Sequence, residues 1–318
     1  MAALIPTFLL LIAGFVLLIK GADFFVEGSA SIARKLRVPS LIVGMTIVAM
    51  GTSLPECSVS INASLTGENS LAVSNVLGSN IFNLMVVCGV CALFAPLIVK
   101  AETRNRDITF SILCAVLLGV LGFLGMELER MDGWIFLVIF ILFLFYMVMS
   151  ALKARAAGQD VEDEGEEYAV IPVWKSILFI VCGAAAIAFG GDFVVKSASK
   201  IATTFGMSQT LVGLTICAIG TSLPELVTSV VAARKKQVDM ALGNVIGSNI
   251  FNILFVLGIS SAISPIAVIT ENLVDVVLLI LMSLIVWIFT WTKERVNRAE
   301  GACMVLLYIG YWVYICVR

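Results

Sequence analysis

The sequence predicts an all-α membrane protein: ten transmembrane helices arranged as two inverted five-helix repeats. Three observations lead there. The chain is 60% hydrophobic and 13% charged with a mean hydropathy of +1.08, its apolar residues fall in long runs almost end to end, and its two halves repeat one another with the flanking basic residues exchanged between sides. A water-soluble domain could not cover that much apolar surface, so the bilayer is the solvent. The formal net charge of −2 discriminates nothing.

A spanning helix needs about 20 mostly apolar residues. Splitting the runs at charge and turn clusters gives spans at 4–30, 41–64, 71–96, 108–125 and 133–151, then 174–200, 210–233, 240–264, 272–292 and 301–317. The first has no basic residue before Lys20 and no small-residue cleavage site, so it is expected to be a retained helix and not a signal peptide. Between the fifth and sixth lies an acidic stretch with Asp160, Glu162, Asp163, Glu164, Glu166 and Glu167, a solvated linker by composition. The organisation expected is a first repeat over 1–151, a cytoplasmic linker over 152–173 and a second, inverted repeat over 174–318.

Sliding the chain by 169 residues superimposes the halves without a gap from Gly21 to Glu102. Gly44 to Glu56 matches Gly213 to Glu225 at ten of thirteen positions, and Asn75 to Asn83 matches Asn244 to Asn252 at eight of nine. Five spans per half is an odd number, so the second half must enter the membrane upside down. The charges agree: Arg34, Lys35 and Arg37 align with Thr203, Thr204 and Gly206, whereas Leu65, Thr66 and Gly67 align with Arg234, Lys235 and Lys236. With both termini outside, fifteen of the twenty Lys and Arg residues fall in cytoplasmic loops, as the positive-inside rule requires.

Chemistry concentrates in the repeated Gly-Thr-Ser-Leu-Pro-Glu segments, 51–56 and 220–225. Glu56 and Glu225 lie within apolar spans, where an ionised carboxylate costs several kcal/mol unless paired or solvated. No Lys or Arg is near them in sequence, so a bound cation is expected to supply the charge; a protonated packing glutamate is the bland alternative. Pro55 and Pro224 lack an amide hydrogen and should break their helices, releasing carbonyls around Gly51 and Gly220. Such backbone is tolerated in a bilayer only where it is buried in protein or lines a cavity. Thr52, Ser53, Thr221 and Ser222 add hydroxyls on the same turn, and an all-oxygen set suits hard cations such as Na⁺ and Ca²⁺. In the following spans Asn75, Ser79, Asn80 and Asn83 recur as Asn244, Ser248, Asn249 and Asn252. Gly78 and Gly247 there suit close helix packing, while Ser79, Asn83, Ser248 and Asn252 are the candidates for ligation or its support. Asp23, Glu27, Asp192 and Lys196 are expected toward the ends of the first and sixth spans, facing water or lining an access path.

Other signals are silent. All eight cysteines lie in apolar stretches and act as small hydrophobes, including the isolated Cys88–Cys91 pair, which has no second pair of zinc ligands. There is no histidine, which removes the commonest proton relay and transition-metal ligand.

Two copies of GTSLPE, each followed in the next span by GSNIFN, within ten spans split five and five, resemble the cation/calcium exchanger superfamily, in particular its sodium/calcium exchangers. The resemblance implies Ca²⁺ held by the carboxylates of Glu56 and Glu225 with the carbonyls of Thr52 and Thr221. It implies Na⁺ sites using the Ala49 carbonyl, Ser53 and Ser79 on one flank and the Ala218 carbonyl, Ser222 and Ser248 on the other, with Asn83 and Asn252 lining the centre. It also implies alternating access by sliding of the first and sixth helices across an eight-helix core. Some relatives carry aspartate where this chain has Asn252, and potassium-dependent ones place a critical aspartate in this region, so independence from potassium is expected. The short linker leaves no room for calcium-sensing domains, which points to a compact prokaryotic form.

The function expected is therefore Na⁺/Ca²⁺ antiport across the cell membrane, with Ca²⁺ and Na⁺ as substrates, the lipid bilayer as surroundings, no cofactor, no nucleic acid and no obligatory protein partner. H⁺/Ca²⁺ antiport stays open, since both glutamates could take protons. An intramembrane hydrolase using paired glutamates is the rival of another class. It is disfavoured because the polar residues obey the repeat, which a carrier needs and a catalyst does not.

Overall fold

The computed structural model describes residues 4–66, 70–156, 171–207, 216, 218–292 and 294–317. Eight single helices among them are long and apolar enough to cross a membrane: α1 (Ile5–Leu36), α4 (Leu71–Phe94), α5 (Ala101–Gly125), α6 (Arg130–Ala156), α7 (Val173–Thr204), α9 (Val238–Ile263), α10 (Thr270–Phe289) and α11 (Arg298–Val317). The expected second span is a broken pair, α2 (Ser40–Thr52) and α3 (Leu54–Thr66), bent by 50°. Of the expected seventh span, residues 210–215 and 217 lie outside the described residues, as does the linker over 157–170; what is described is a short helical stretch, Ala218–Gly220, and α8 (Leu223–Arg234). This is a multi-pass helical membrane protein.

Several boundaries differ from expectation, and the two largest shifts have local reasons. Helix α1 runs on to Leu36 because Arg34 and Lys35 complement the negative end of the helix dipole, and Arg37 (φ 55°) then stops it in the left-handed conformation, its N–H bonding back to Ala33 and Arg34. Helix α5 begins at Ala101, within the charged cluster, because Arg104 lays its guanidinium 3.8 Å from the centroid of the Trp291 ring and is buried there. At 32 residues each, α1 and α7 are about 48 Å long. Asp23 and Asp192 consequently sit in their middle portions, not toward their ends, whereas Glu27 and Lys196 fall in the last third of each helix.

Helices α4 and α9 form the centre, 78% of each apolar window being buried, against 22% for the peripheral α6. Helices α1 and α7 pack along a seam of small residues spaced by seven. A Cβ on Gly14 would meet the Gly190 carbonyl at 2.9 Å, one on Gly21 the Gly183 carbonyl at 3.0 Å, and one on Gly28 the Ser176 carbonyl at 2.7 Å. Partner numbers fall as the α1 numbers rise, so the two helices are antiparallel. Short antiparallel ladders tie the loops at each end: β1 (Leu97–Ile98) with β4 (Arg295–Val296), and β2 (Glu127–Leu128) with β3 (Ile266–Ala267).

Candidate functional site

The site begins with the two prolines. Without an amide hydrogen at Pro55 or Pro224 the helical ladder cannot continue, and the chain breaks at the preceding serines in the same way. Ser53 takes φ −86°, ψ 12°, and Ser222 takes φ −92°, ψ 6°. Each break is overlain by one of the long helices at a glycine that admits it: Phe25 of α1 lies over Gly51 and Val195 of α7 over Gly220, where a Cβ would meet side-chain atoms at 2.6 and 2.1 Å. Glu56 and Glu225 follow in the first turns of α3 and α8, and both are fully buried.

The two halves then exchange hydrogen bonds. Ser53 Oγ donates to Glu225 Oε1 at 2.7 Å, and Ser222 Oγ donates to Glu56 Oε1 at 3.1 Å. Ser79 Oγ lies 3.4 Å from Glu56 Oε1. Among the described residues neither carboxylate makes an ion pair. Glu56 Oε2 and Glu225 Oε2 are buried with no hydrogen-bond partner among those residues, and so are Asn83 Oδ1, Asn252 Oδ1, Ser248 Oγ and Thr221 Oγ1. Native structures leave only a few such groups per hundred residues. These six are all oxygens of types that ligate hard cations, and two of them belong to the buried carboxylates themselves.

A second tier holds these groups. The Thr52 hydroxyl lies 3.1 Å from Asn244 Oδ1 and 3.3 Å from the Ala49 carbonyl, and Asn244 Nδ2 donates to Ser229 Oγ at 2.9 Å. Asn75, the repeat equivalent of Asn244, donates to Ser60 Oγ at 3.0 Å. Deeper still, Asn80 Nδ2 donates to the Asn249 carbonyl at 3.1 Å and Asn249 Nδ2 to the Asn80 carbonyl at 3.2 Å. Asn83 Nδ2 donates to Asn249 Oδ1 at 3.2 Å, and Asn252 Nδ2 to Asn80 Oδ1 at 3.1 Å. Asn83 and Asn252 each open a wider π-helical turn, Asn83–Val87 and Asn252–Leu257, a distortion that recurs at functional sites because it re-aims side chains.

A site made of two interlocked copies should match a family in both halves, and it does: the family described as sodium/calcium exchanger protein matches residues 6–149 and 175–317. The chain belongs to the sodium/calcium exchanger family. This exchanger-family chain is 34% identical over 342 residues to the sodium/calcium exchanger MaX1 of Methanosarcina acetivorans, covering 97% of this chain and 98% of that one. It is 36% identical over 321 residues to the inner membrane protein YrbG of Escherichia coli, covering 97% and 95%. A solved structure of the sodium-calcium exchanger NCX_Mj, soaked with 2.5 mM Na⁺ and 0.1 mM Ca²⁺, matches with a TM-score of 0.83 at 32% identity, covering 96% of this chain and 97% of that one. The protein is thus a transporter of the exchanger class and not an enzyme.

Of the residues singled out in the sequence, Glu56, Glu225, Ser53, Ser222 and Ser79 are joined directly in this exchanger, and Asn83 and Asn252 are joined through Asn80 and Asn249. Thr221 and Ser248 belong to the unpartnered set. The Ala49 carbonyl already accepts the Ser53 amide at 3.1 Å and lies 3.3 Å from the Thr52 hydroxyl. Ala218 opens the short stretch before the second break. The sequence did not single out Asn244, Asn80 and Asn249 as holders of other side chains. The signal was present, since Asn80 and Asn249 stand three residues before Asn83 and Asn252, one helical turn away on the same face.

Proposed function

We propose that this protein is a secondary antiporter that exchanges Na⁺ for Ca²⁺ across the cell membrane, by alternating access at a midplane centre built on Glu56 and Glu225. The observation that carries this reading is the pair of fully buried carboxylates that, among the described residues, meet no cationic side chain and each keep one oxygen without a hydrogen-bond partner. Uncompensated buried carboxylates cost several kcal/mol, and a cation with oxygen ligands removes that cost. Ca²⁺ takes the second oxygens of the glutamates with the Thr52 and Thr221 carbonyls. Na⁺ takes Ser53, Ser79 and the Ala49 carbonyl on one side and Ser222, Ser248 and the Ala218 carbonyl on the other, with Asn83 and Asn252 between. Ionised, the pair holds about −2, which one Ca²⁺ or two Na⁺ neutralise. A third Na⁺ makes the loaded carrier positive and exchange sensitive to voltage, by about 2.3 kcal/mol per charge per 100 mV.

The architecture that serves this mechanism is ten spans in two oppositely inserted repeats, 1–151 and 174–318, joined by a cytoplasmic linker over 152–173, with both termini outside. Support comes from α1 and α7, repeat equivalents that pack antiparallel, and from the reciprocal Ser–Glu and Asn–Asn bonds, in which each contact reappears with the partners exchanged. The β1–β4 ladder also gathers two basic loops at one end. Because α1 and α7 cover the two broken turns, their sliding as a pair would open one side of the centre and then the other.

Uptake of ⁴⁵Ca²⁺ into proteoliposomes under outward Na⁺, K⁺ or H⁺ gradients tests the reading. Uptake driven by Na⁺ alone, with no need for K⁺, is expected, and Glu56→Gln and Glu225→Gln should each abolish it. Uptake driven by protons but not by Na⁺ would exclude the assignment of the counter-ion. Full activity in both variants would exclude the centre.

A further inference from the structure

We infer that Asn80 and Asn249 are positioning residues that fix the electrical sign of the centre: they hold the amides of Asn83 and Asn252 with oxygen, not nitrogen, turned away from them. The inference rests on the reading above that Asn83 and Asn252 line a cation centre.

The two ends of an asparagine amide have nearly the same shape and opposite polarity, so neighbours must decide which way each one lies. The decision starts from the backbone. A peptide carbonyl only accepts, so the Asn249 end that lies 3.2 Å from the Asn80 carbonyl must be its Nδ2. Its Oδ1 is then the end that meets Asn83 at 3.2 Å. Asn83 can answer an oxygen only with its own Nδ2, which leaves its Oδ1 at the far end, buried and without a hydrogen-bond partner among the described residues. The same chain runs from the Asn249 carbonyl through Asn80 at 3.1 Å to Asn252 at 3.1 Å, ending on the unpartnered Asn252 Oδ1. Asn80, Asn83, Asn249 and Asn252 are buried, so no solvent competes for these groups.

Each relay crosses from one repeat to the other and back. Asn80 and Asn249 have both polar ends engaged, whereas Asn83 and Asn252 each have an oxygen with no partner among the described residues. Reversal of either outer amide would place a partly positive NH₂ where an unpartnered oxygen now lies. In a centre lined by Asn83 and Asn252, that reversal would present a donor to the cation and disfavour its binding. Orientation by the inner pair prevents it, and the wider turns opening at Asn83 and Asn252 set the angle at which the two oxygens emerge.

A double-mutant cycle on the full chain in proteoliposomes, read as the ⁴⁵Ca²⁺ concentration giving half-maximal uptake and as the maximal rate, tests this. Asn83→Ala and Asn249→Ala are each expected to raise the half-saturating Ca²⁺ about tenfold with a smaller effect on maximal rate. Because Asn249 acts through Asn83, the double variant should lie within about twofold of Asn83→Ala alone. A double variant raised about a hundredfold would show independent effects and overturn the inference while leaving the centre intact. A change confined to maximal rate in Asn249→Ala would mark a purely structural brace and overturn it equally. An unchanged half-saturation in Asn83→Ala would overturn both the inference and the place of Asn83 in the centre. Should Asn249→Ala fail to assemble, Asn249→Ser, too short to bridge, enters the same cycle. Asn80→Ala against Asn252→Ala repeats the test in the other half with the same expected non-additivity.

Discussion

Replacing Gly220 by alanine should damage the protein more than the equivalent change at Gly51, although the sequence around them is the same. At Gly220 the new methyl would lie 2.1 Å from Val195 Cγ2, 3.3 Å from Val195 Cβ and 3.5 Å from Val195 Cγ1. Carbon atoms sit comfortably at about 3.5 Å or more, so the closest pair must separate by about 1.4 Å. Valine is β-branched and stiff, and turning it brings its other methyl toward the same space, so α7 itself must retreat from the broken turn. At Gly51 the obstacle is Phe25 Cζ at 2.6 Å, with Cε1 and Cε2 already at 3.4 Å, and the far end of a phenylalanine can tip aside. Overpacking of a stiff contact costs about 1–3 kcal/mol, and alanine returns about 1 kcal/mol over glycine in a helix. Gly220→Ala should therefore be destabilised by up to about 2 kcal/mol and Gly51→Ala should be close to neutral. Val195→Ala removes both Cγ atoms, so it should rescue Gly220→Ala, with a coupling of about 2 kcal/mol between the two sites. The measurements are the apparent thermal unfolding midpoint in detergent and the half-saturating Ca²⁺ of the reconstituted variants. Greater damage at Gly51, or a Val195→Ala effect that simply adds to that of Gly220→Ala, would refute the packing of α7 on this turn.

Three further outcomes are expected. Ser53→Ala and Ser222→Ala each remove a charge-assisted donor worth about 1.5–3 kcal/mol, so each should raise half-saturating Ca²⁺ by roughly ten- to a hundredfold, with Ser53 (2.7 Å) at least as costly as Ser222 (3.1 Å); uptake titrations decide it. The Asp23–Lys235 ion pair (3.0 Å) joins α1 to the turn after α8, and both side chains are partly exposed. Asp23→Asn should therefore shift stability by less than about 1 kcal/mol, an effect that shrinks in high salt in the same melting assay. Finally, single cysteines at Lys35 and Lys236, in a background cleared of the native cysteines, should both react with an impermeant maleimide only from the cytoplasmic side. Labelling of one from each side would contradict the inverted insertion.

The membrane class, the exchanger family and the helix breaks before the two glutamates were legible in the sequence because each rests on local composition or on self-similarity. Apolar length alone places α1, α4, α6, α7 and α9 to α11, and a proline before an intramembrane glutamate announces a broken helix wherever it occurs. The limits of that legibility were also local. Helix α5 starts earlier than its hydropathy suggests because Arg104 finds the ring of Trp291, a residue far away in the chain. Asp23 and Asp192 looked terminal because hydropathy fades before α1 and α7 end.

Which oxygens are held and which are left over was decided only by the tertiary structure. The sequence predicts that Glu56 and Glu225 belong to one centre; it contains nothing to say that Ser53 serves the glutamate of the other repeat and Ser222 that of the first. Nor does it distinguish Asn83, whose oxygen is unengaged, from Asn80, whose oxygen is held by Asn252, since both are asparagines on one buried face. The physical reason is that composition and spacing determine what a segment can do alone, whereas the polarity of a hydrogen bond is set by its partner. Here the deciding partners lie 166 to 172 residues away, in the other half of the chain.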